Sequence, residues 1–378
     1  MKKYLYLFLL LLTFVSCSKK VEISVFNNSE VDRVNEMVEI CLCQLQNFDA
    51  TKIIILDSDG KRVPCQIIYK GTNEPESMIF PVNLEAGKQA VFTVKEGKPE
   101  QIPTKTFARF VPERKNDIAW ENDKIAFRMY GPGLAKENPT NGVDVWLKRT
   151  NNLIIGKQEQ KNSVNEAHSY KDSTEILDCY KVGNTLGAGG IALYSRDSLW
   201  IGKCFNRCKV LDNGPLRSSF VLYYDKIPYE SKFLKAELVI TLDAGSNLNE
   251  GIIKYSGDAT NLQLAVGLCL HDSVQSINGN AEKGYLGYAE NVFKEIDNRS
   301  VALGRCFTGV VFPDKVAETK LLAGHVIGIC KYNIGEEFRF YFGAGWNKHG
   351  FPSDQDWYSY LASKRSALLQ PLEVKILK

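Results

Sequence analysis

Residues 51–69 read TKIIILDSDGKRVPCQIIY, in which Ile53-Ile54-Ile55-Leu56 and Ile67-Ile68-Tyr69 flank the polar turn Ser58-Asp59-Gly60. β-branched side chains are stiff in a helix and pack well on a pleated surface, while Asp-Gly supplies the backbone freedom that a tight reversal needs. The stretch therefore predicts two strands joined by a turn. Working outward, similar short apolar or alternating segments occur at 21–26, 38–45, 78–82, 89–94, 125–130, 143–147, 219–224, 236–242 and 338–342. Helical periodicity is scarce. The best helix follows Ser353, whose hydroxyl can cap the first turn while Asp356 completes a Ser-x-x-Asp box ahead of Trp357, Tyr360 and Leu361. The expected class is all-β, with one short C-terminal helix packed on a sheet.

Residues 95–106, rich in Lys, Gly and Pro, form the best linker, because Pro99 and Pro103 disfavour both helix and central strand. The expected division is a lipid-anchored start and small N-terminal β-sandwich over 17–100, followed by a larger body over 101–378. That body is too long for one simple sandwich of about 100 residues, so stacked antiparallel sheets are expected. No repeat of fixed period is visible.

At the N-terminus, Lys2 and Lys3 precede an apolar run at 4–15 that is too short to be a comfortable membrane span. It reads as a signal peptide over residues 1–16. Phe14-Val15-Ser16-Cys17 offers small or apolar residues before a thiol, the pattern that lipoprotein processing needs, so Cys17 is expected to carry the lipid. The whole sequence is 44% hydrophobic and carries a net charge of +3 without a long basic run, which argues against nucleic acid as a partner. Ten cysteines include Cys17, leaving an odd number that cannot all pair internally. Cys41 and Cys43 read as small core residues on one face of a strand, and Cys204 and Cys208 are close enough in sequence to be considered for a disulfide.

Polar chemistry concentrates in four places. In the strand expected from Ile125, alternation puts Lys124, Ala126, Arg128 and Tyr130 on one face and Ile125, Phe127 and Met129 on the other. Arg128 offers a planar fork for a carboxylate and Tyr130 a hydroxyl with a stacking surface, although a plain salt bridge beside a sheet-edge tyrosine would read the same. Asp144 and Trp146 likewise share a face, the arrangement of an acid beside an aromatic platform for a sugar; a buried Trp with a bonded Asp is the alternative. The segment His168-Ser169-Tyr170-Lys171-Asp172, followed by Glu175 and Asp178, holds enough acids and bases for proton transfer and is the expected catalytic loop. The glycines of Gly187-Ala188-Gly189-Gly190 lack the ending of a phosphate loop and are expected to allow a turn or a close backbone approach. His271, Trp346 and Lys348 complete the residues expected to line a sugar site, whereas His325 in its apolar strand is expected to be structural.

Several phrases together carry a resemblance: Phe26-Asn27-Asn28 with Arg33 and Glu36, Val111-Pro112-Glu113-Arg114, Trp120-Glu121-Asn122-Asp123, Tyr130-Gly131-Pro132, Asp144-Val145-Trp146, Tyr180-Lys181-Val182-Gly183, Asp212-Asn213-Gly214-Pro215 and Gly343-Ala344-Gly345-Trp346. Across essentially the whole mature chain the sequence resembles a family of Bacteroidota lipoproteins named only as a domain of unknown function. Its members are typically encoded among genes for degrading pectin and other uronic-acid polysaccharides. The resemblance implies a galactose-mutarotase-like supersandwich whose concave face binds carbohydrate. The family's central loop follows Tyr-His-x-Asp-x-Gly-Glu-Gly-Leu-Asp; here Asp172, Glu175 and Asp178 match, while Tyr170 stands where the pattern has His.

The implied function is processing of uronic-acid-containing oligosaccharides by lyase or related acid-base chemistry, with non-catalytic glycan binding as the alternative. Tyr170 or His168 would move a proton, tuned by Lys171 or Asp172. Arg128, Tyr130, Asp144, Trp146, Asp178, His271, Trp346 and Lys348 would bind substrate. No cofactor is expected, and a divalent cation is left open. In such lipoproteins acidic residues after the lipid cysteine favour the cell surface, so Ser18-Lys19-Lys20 points the anchored body toward the periplasm.

Overall fold

The computed structural model describes residues 19–46, 48–137, 141–155, 175–271, 276–296 and 299–377. They are mostly antiparallel β-sheet, with the α-helix Asp354–Leu369 near the C-terminus. No helix among them is long and apolar enough to cross a membrane.

The N-terminal part is a two-sheet sandwich. One sheet runs in the order Glu373–Leu377, Lys20–Phe26, Gln89–Glu96, Ile53–Leu56, Arg62–Val63, and the other in the order Arg33–Cys41, Ser77–Leu84, Gln66–Ile68. Ile23, Val25, Ile53, Ile55 and Val94 from the first meet Val38, Ile40, Met78, Phe80 and Val82 from the second in one core. The expected strand at 38–45 ends at Cys41 and passes into the single turn Leu42–Gln44. Cys41 and Cys43 therefore leave the alternation; instead of filling the core they are exposed and joined to each other by a disulfide. Cys204 and Cys208 are not bridged to each other.

The body is built on an eight-stranded antiparallel sheet, in order Arg207–Asn213, Arg217–Tyr229, Lys232–Asp243, Leu248–Ser256, Phe338–Trp346, Arg299–Val311, Tyr285–Ile296, Ile277–Asn280. One face sends Phe220, Leu238, Ile240, Tyr288, Val310 and Phe342 into the main core. Two five-stranded sheets supply the other side of that core. One holds Thr106–Val111, Asp117–Asn122, Ala126–Met129, Val143–Lys148 and Ile176–Leu177; the other holds Ser198–Trp200, Ala188–Ser195, Leu262–Cys269, His325–Tyr332 and Glu318–Leu322. They are stitched where Val143 bridges Gly187. Gly187 has φ +63°, and a Cβ there would stand 2.2 Å from the Val143 carbonyl oxygen, so this crossing needs glycine for both conformation and space.

The helix lies on the other face of the eight-stranded sheet, with Trp357 and Leu361 packed against Phe307 and Val311. Both halves of the expected capping box form between Ser353 and Asp356. The sandwich is fastened to the body by polar contacts. Asp212 accepts from Tyr69 N at 2.7 Å and Lys70 N at 3.0 Å, and Gln66 Oε1 accepts from Leu216 N and Arg217 N, each at 2.8 Å. Buried Arg33 donates to Asn27, Ser29 and Glu36 and also to the Ala367 and Gln370 carbonyls at the helix end. The Asn27, Arg33, Glu36 and Asp212 phrases of the resemblance are thus joints of the architecture.

Candidate functional site

Strand alternation divides the sheet of Ala126–Met129 into two chemistries. Phe127, Met129, Val143 and Val145 point into the main core, while Ala126, Arg128, Asp144 and Trp146 point to the opposite face. On that opposite face the neighbouring strands add Asp117, Glu121 and Lys148, all buried. The pairing register sets Arg128 opposite Asp144, so the two meet as a cross-strand pair.

Two charged groups result, and they differ in how completely they are satisfied. Lys148 Nζ donates to Glu121 Oε2 and to the Asn122 carbonyl, each at 2.6 Å, and Glu121 Oε1 accepts from Ile154 N at 2.5 Å and Ile155 N at 2.6 Å. This is a closed, structural ion pair. The second group centres on Arg128, which is 4% exposed. Its Nη2 bonds Asp144 and lies 3.9 Å from Asp178 Oδ2 and 3.4 Å from the Tyr130 hydroxyl. The guanidinium carbon sits 4.9 Å from the Tyr130 ring centroid and 5.1 Å from that of Trp146. Nε and Nη1 of Arg128 and Oδ2 of Asp117 are buried without hydrogen-bond partners among the described residues. A buried donor left unmade costs about 1–3 kcal/mol, more when charged, so such a group calls for an acceptor.

The electrostatics follow from this geometry. Complete burial, opposed by Arg128 and reinforced by Asp178, pushes the Asp144 carboxyl up to about 7. Burial pushes the Tyr130 hydroxyl up to about 12, which keeps it protonated near neutrality. Burial works against the charge of Arg128, but Asp144 and the other nearby acids hold it firmly protonated. The centre thus combines a fixed cation, a carboxyl whose pKa burial raises and a phenol donor, the kinds of group that acid-base chemistry on a carboxylate-bearing molecule uses.

His271 stands beyond this centre, connected to it through residues 178–181. Its Nδ1 faces Glu290 Oε2 at 2.8 Å and its Nε2 faces the Lys181 carbonyl at 2.5 Å, while its ring meets Tyr180 edge-on at 5.1 Å. Both neighbours of the ring nitrogens are acceptors, so both nitrogens carry hydrogen and the ring is an imidazolium. Burial opposes that charge, but bonds to Cys269 and Glu290 raise its pKa to about 10. With both donors engaged, His271 clamps the segment after Asp178 to the sheet.

The remaining expected residues fall elsewhere. Trp146 is 0% exposed, lying between the Arg128 and Arg114 guanidinium groups, and Trp346 is 2% exposed, donating to the Leu303 carbonyl at 3.0 Å. Neither ring offers a free face, which corrects the expectation that they are platforms for a sugar; their strands face packed layers. Trp346 and Lys348 also lie by Arg149, past the far end of Val143–Lys148 from Asp144. His325 is buried and its Nε2 accepts from Leu186 N at 3.1 Å, the structural role expected of it. Cys17, His168, Tyr170, Lys171 and Asp172 lie outside the described residues. Sequence reading missed Asp117 and Glu290. Asp117, Ala119 and Glu121 do alternate with Ile118 and Trp120, a signal that could have found the first. Among the described residues no group of three or more His, Cys, Asp and Glu could hold a metal ion.

This layered all-β architecture is shared by a solved structure of a protein in the glycosyl hydrolase family 38 from Enterococcus faecalis. The two align with a TM-score of 0.52 at 11% identity, over 95% of this chain and 47% of that one. An α-mannosidase from Enterococcus faecalis V583 aligns with a TM-score of 0.47 at 11% identity, over 95% of this chain and 46% of that one. The chain thus spans about half the length of these structures.

The chain belongs to the family described as domain of unknown function DUF4861, whose model matches residues 25–374. It is also 28% identical to the uncharacterized protein P7 of Formosa agariphila, over 96% of each chain.

Proposed function

We propose that this chain is a lipid-anchored envelope protein, facing the periplasm, that processes uronic-acid-containing, pectin-type oligosaccharides at the Arg128 centre. The observation that carries the reading is the buried guanidinium with two donor nitrogens unpartnered among the described residues, beside a carboxyl whose pKa burial raises. Arg128 would take the sugar carboxylate and so acidify the adjacent C–H. In a β-elimination, a base removes that proton, the electron pair forms a carbon–carbon double bond, and the β C–O bond to the neighbouring sugar breaks. The departing oxygen then takes a proton from an acid. Tyr170 or His168 is proposed to move the first proton, with Lys171 or Asp172 tuning it; protonated Asp144 or Tyr130 suits the second. The fold shared with a glycosyl hydrolase family 38 protein supports a glycan as the ligand class. Phe14-Val15-Ser16-Cys17 supports lipid anchoring, and Ser18-Lys19-Lys20 supports the periplasmic face.

The full chain incubated with oligogalacturonides should yield products with the ultraviolet absorbance of the new double bond, and Arg128→Ala should abolish it. No absorbance and no altered product would remove the lyase reading. The tight burial of Arg128 and Asp144 favours a second reading, glycan binding without turnover. Retention of an unchanged oligosaccharide would select it.

A further inference from the structure

Away from the Arg128 centre, the edge of the eight-stranded sheet holds a pocket of about 370 Å³ lined by Lys203, Cys204, Asn206, Tyr224, Lys226, Ile227, Pro228 and Phe233. Its polar side chains include no carboxylate. Lys203 and Lys226 are exposed, and among the described residues neither ammonium has an ion pair or hydrogen bond. Asn206, also lining the pocket, accepts from Asp225 N at its Oδ1 at 2.7 Å, so the polar group it has left to offer is a donor. Tyr224 is buried, and its hydroxyl has no hydrogen-bond partner among the described residues. Phe233 is 57% exposed, with the Lys226 ammonium 4.2 Å from its ring centroid. An exposed aromatic ring, apolar walls and donors of one kind converge here.

We infer that this pocket is a second subsite for a sugar carboxylate, in which Lys203 and Lys226 take the carboxylate and Phe233 covers the apolar face of the ring. The inference rests on the proposed uronate chemistry and adds a distinct place for a further sugar of the same chain. The position fits. A Cβ on Gly202, beside Lys203, would stand 3.1 Å from Asn141 Nδ2, and Asn141 lies just ahead of the strand that carries Asp144. Cys204 in the pocket floor is also within electrostatic reach of Asp117; burial, aided by that carboxylate, pushes its thiol up to about 11. The pocket thus adjoins the segment that leads into the Asp144 strand, and reach of one oligosaccharide from the pocket to the Arg128 centre is part of the inference.

The test is calorimetric titration of the full chain with a galacturonate trimer at low and high salt, comparing Lys203→Ala/Lys226→Ala, Phe233→Ala and Arg128→Ala. All three pocket side chains are exposed, so their removal should leave folding intact. Two exposed charge contacts predict a loss of about tenfold in affinity for the lysine pair, with a weaker salt dependence. Residual binding by Arg128→Ala that stays salt-sensitive and disappears on adding the lysine changes would support the subsite even if the Arg128 centre does no chemistry. Unchanged affinity in the lysine variant, with binding abolished by Arg128→Ala, would overturn the subsite and leave the centre standing. Absence of binding by the unmodified chain would overturn both.

Discussion

Arg128 and Asp144 are a buried pair in which each partner conceals the cost of the other. Above pH 7, where Asp144 is ionised, removing the cation leaves an uncompensated buried carboxylate, so Arg128→Ala should there cost about 3–5 kcal/mol in chemical denaturation, well above Asp144→Asn, which keeps the shape and the hydrogen-bonding edge. The pH dependence has a definite sign. Because the folded-state pKa of Asp144 is raised from 3.8 to about 7, its contribution to stability is complete below pH 4 and is lost as pH rises through 7. Asp144→Asn should therefore flatten the stability profile across that window, and a profile as steep as that of the parent would show that another group is responsible. His271 acts at higher pH. Its raised pKa makes its contribution complete below 6.5 and lost on approach to about 10. His271→Gln should remove that loss, read as melting temperature against pH. Arg128, Tyr130 and Asp144 could be nominated from sequence because strand alternation puts like chemistry on one face, and Asp178 because it ends the acid-rich loop that matches the family pattern. Burial could not be nominated: the face that carries them is covered, so Trp146 fills space where an open platform was expected.

At the scale of single elements, the strands with strong alternation were the readable ones. Lys20–Phe26, Gln89–Glu96 and Val143–Lys148 lie within a residue or two of their expected limits. Tyr285–Ile296 and Arg299–Val311 escaped notice because polar residues and Gly304 interrupt their apolar pattern; they are strands by pairing with each other as a hairpin and by the pairing of Arg299–Val311 with Phe338–Trp346. The C-terminal helix was legible from its cap alone. Ser353→Ala should cost about 1 kcal/mol in thermal or chemical unfolding, because Ser353 Oγ no longer accepts from Asp356 N or donates to Asp356 Oδ2. Gly187 was expected to permit a close approach, and the crossing at Val143 is that approach. Gly187→Ala combines a positive φ with a clash against backbone that cannot rotate away, so it should destabilise by more than the roughly 1 kcal/mol typical of single substitutions. An alanine variant as stable as the parent would mean that the two five-stranded sheets do not rely on this junction.

For the molecule as a whole, the large core is shared by three sheets, and the sandwich is added through Arg33, Gln66 and Asp212. The sequence suggested a linker at 95–106, and residues 97–105 contain no strand or helix, yet Ile102 packs with Ile68, Ile79 and Leu216. Such an anchored connection is invisible to composition, which registers proline and glycine but not what a lone isoleucine will touch. The strand Glu373–Leu377 is a second long-range fact that no local pattern announces, because its side chains are largely exposed and its place is set by pairing with Lys20–Phe26. Truncation after Leu372 should therefore lower the melting temperature modestly and promote self-association through the newly bare edge, measurable by light scattering. A truncated chain that stays monomeric at high concentration would argue that Lys20 and Glu22 already protect that edge.

The pairing of the first described strand with the last also bears on synthesis. A chain that emerges N-terminus first presents Lys20–Phe26 early, but its partner arrives only after the whole body has been made. Until then the sandwich has one open side, and the nascent protein carries an unpaired edge through nearly the full time of its synthesis. Slow delivery of residues 373–377 should prolong exposure to wrong partners, and the order in which the ribosome supplies the chain becomes part of how this fold closes.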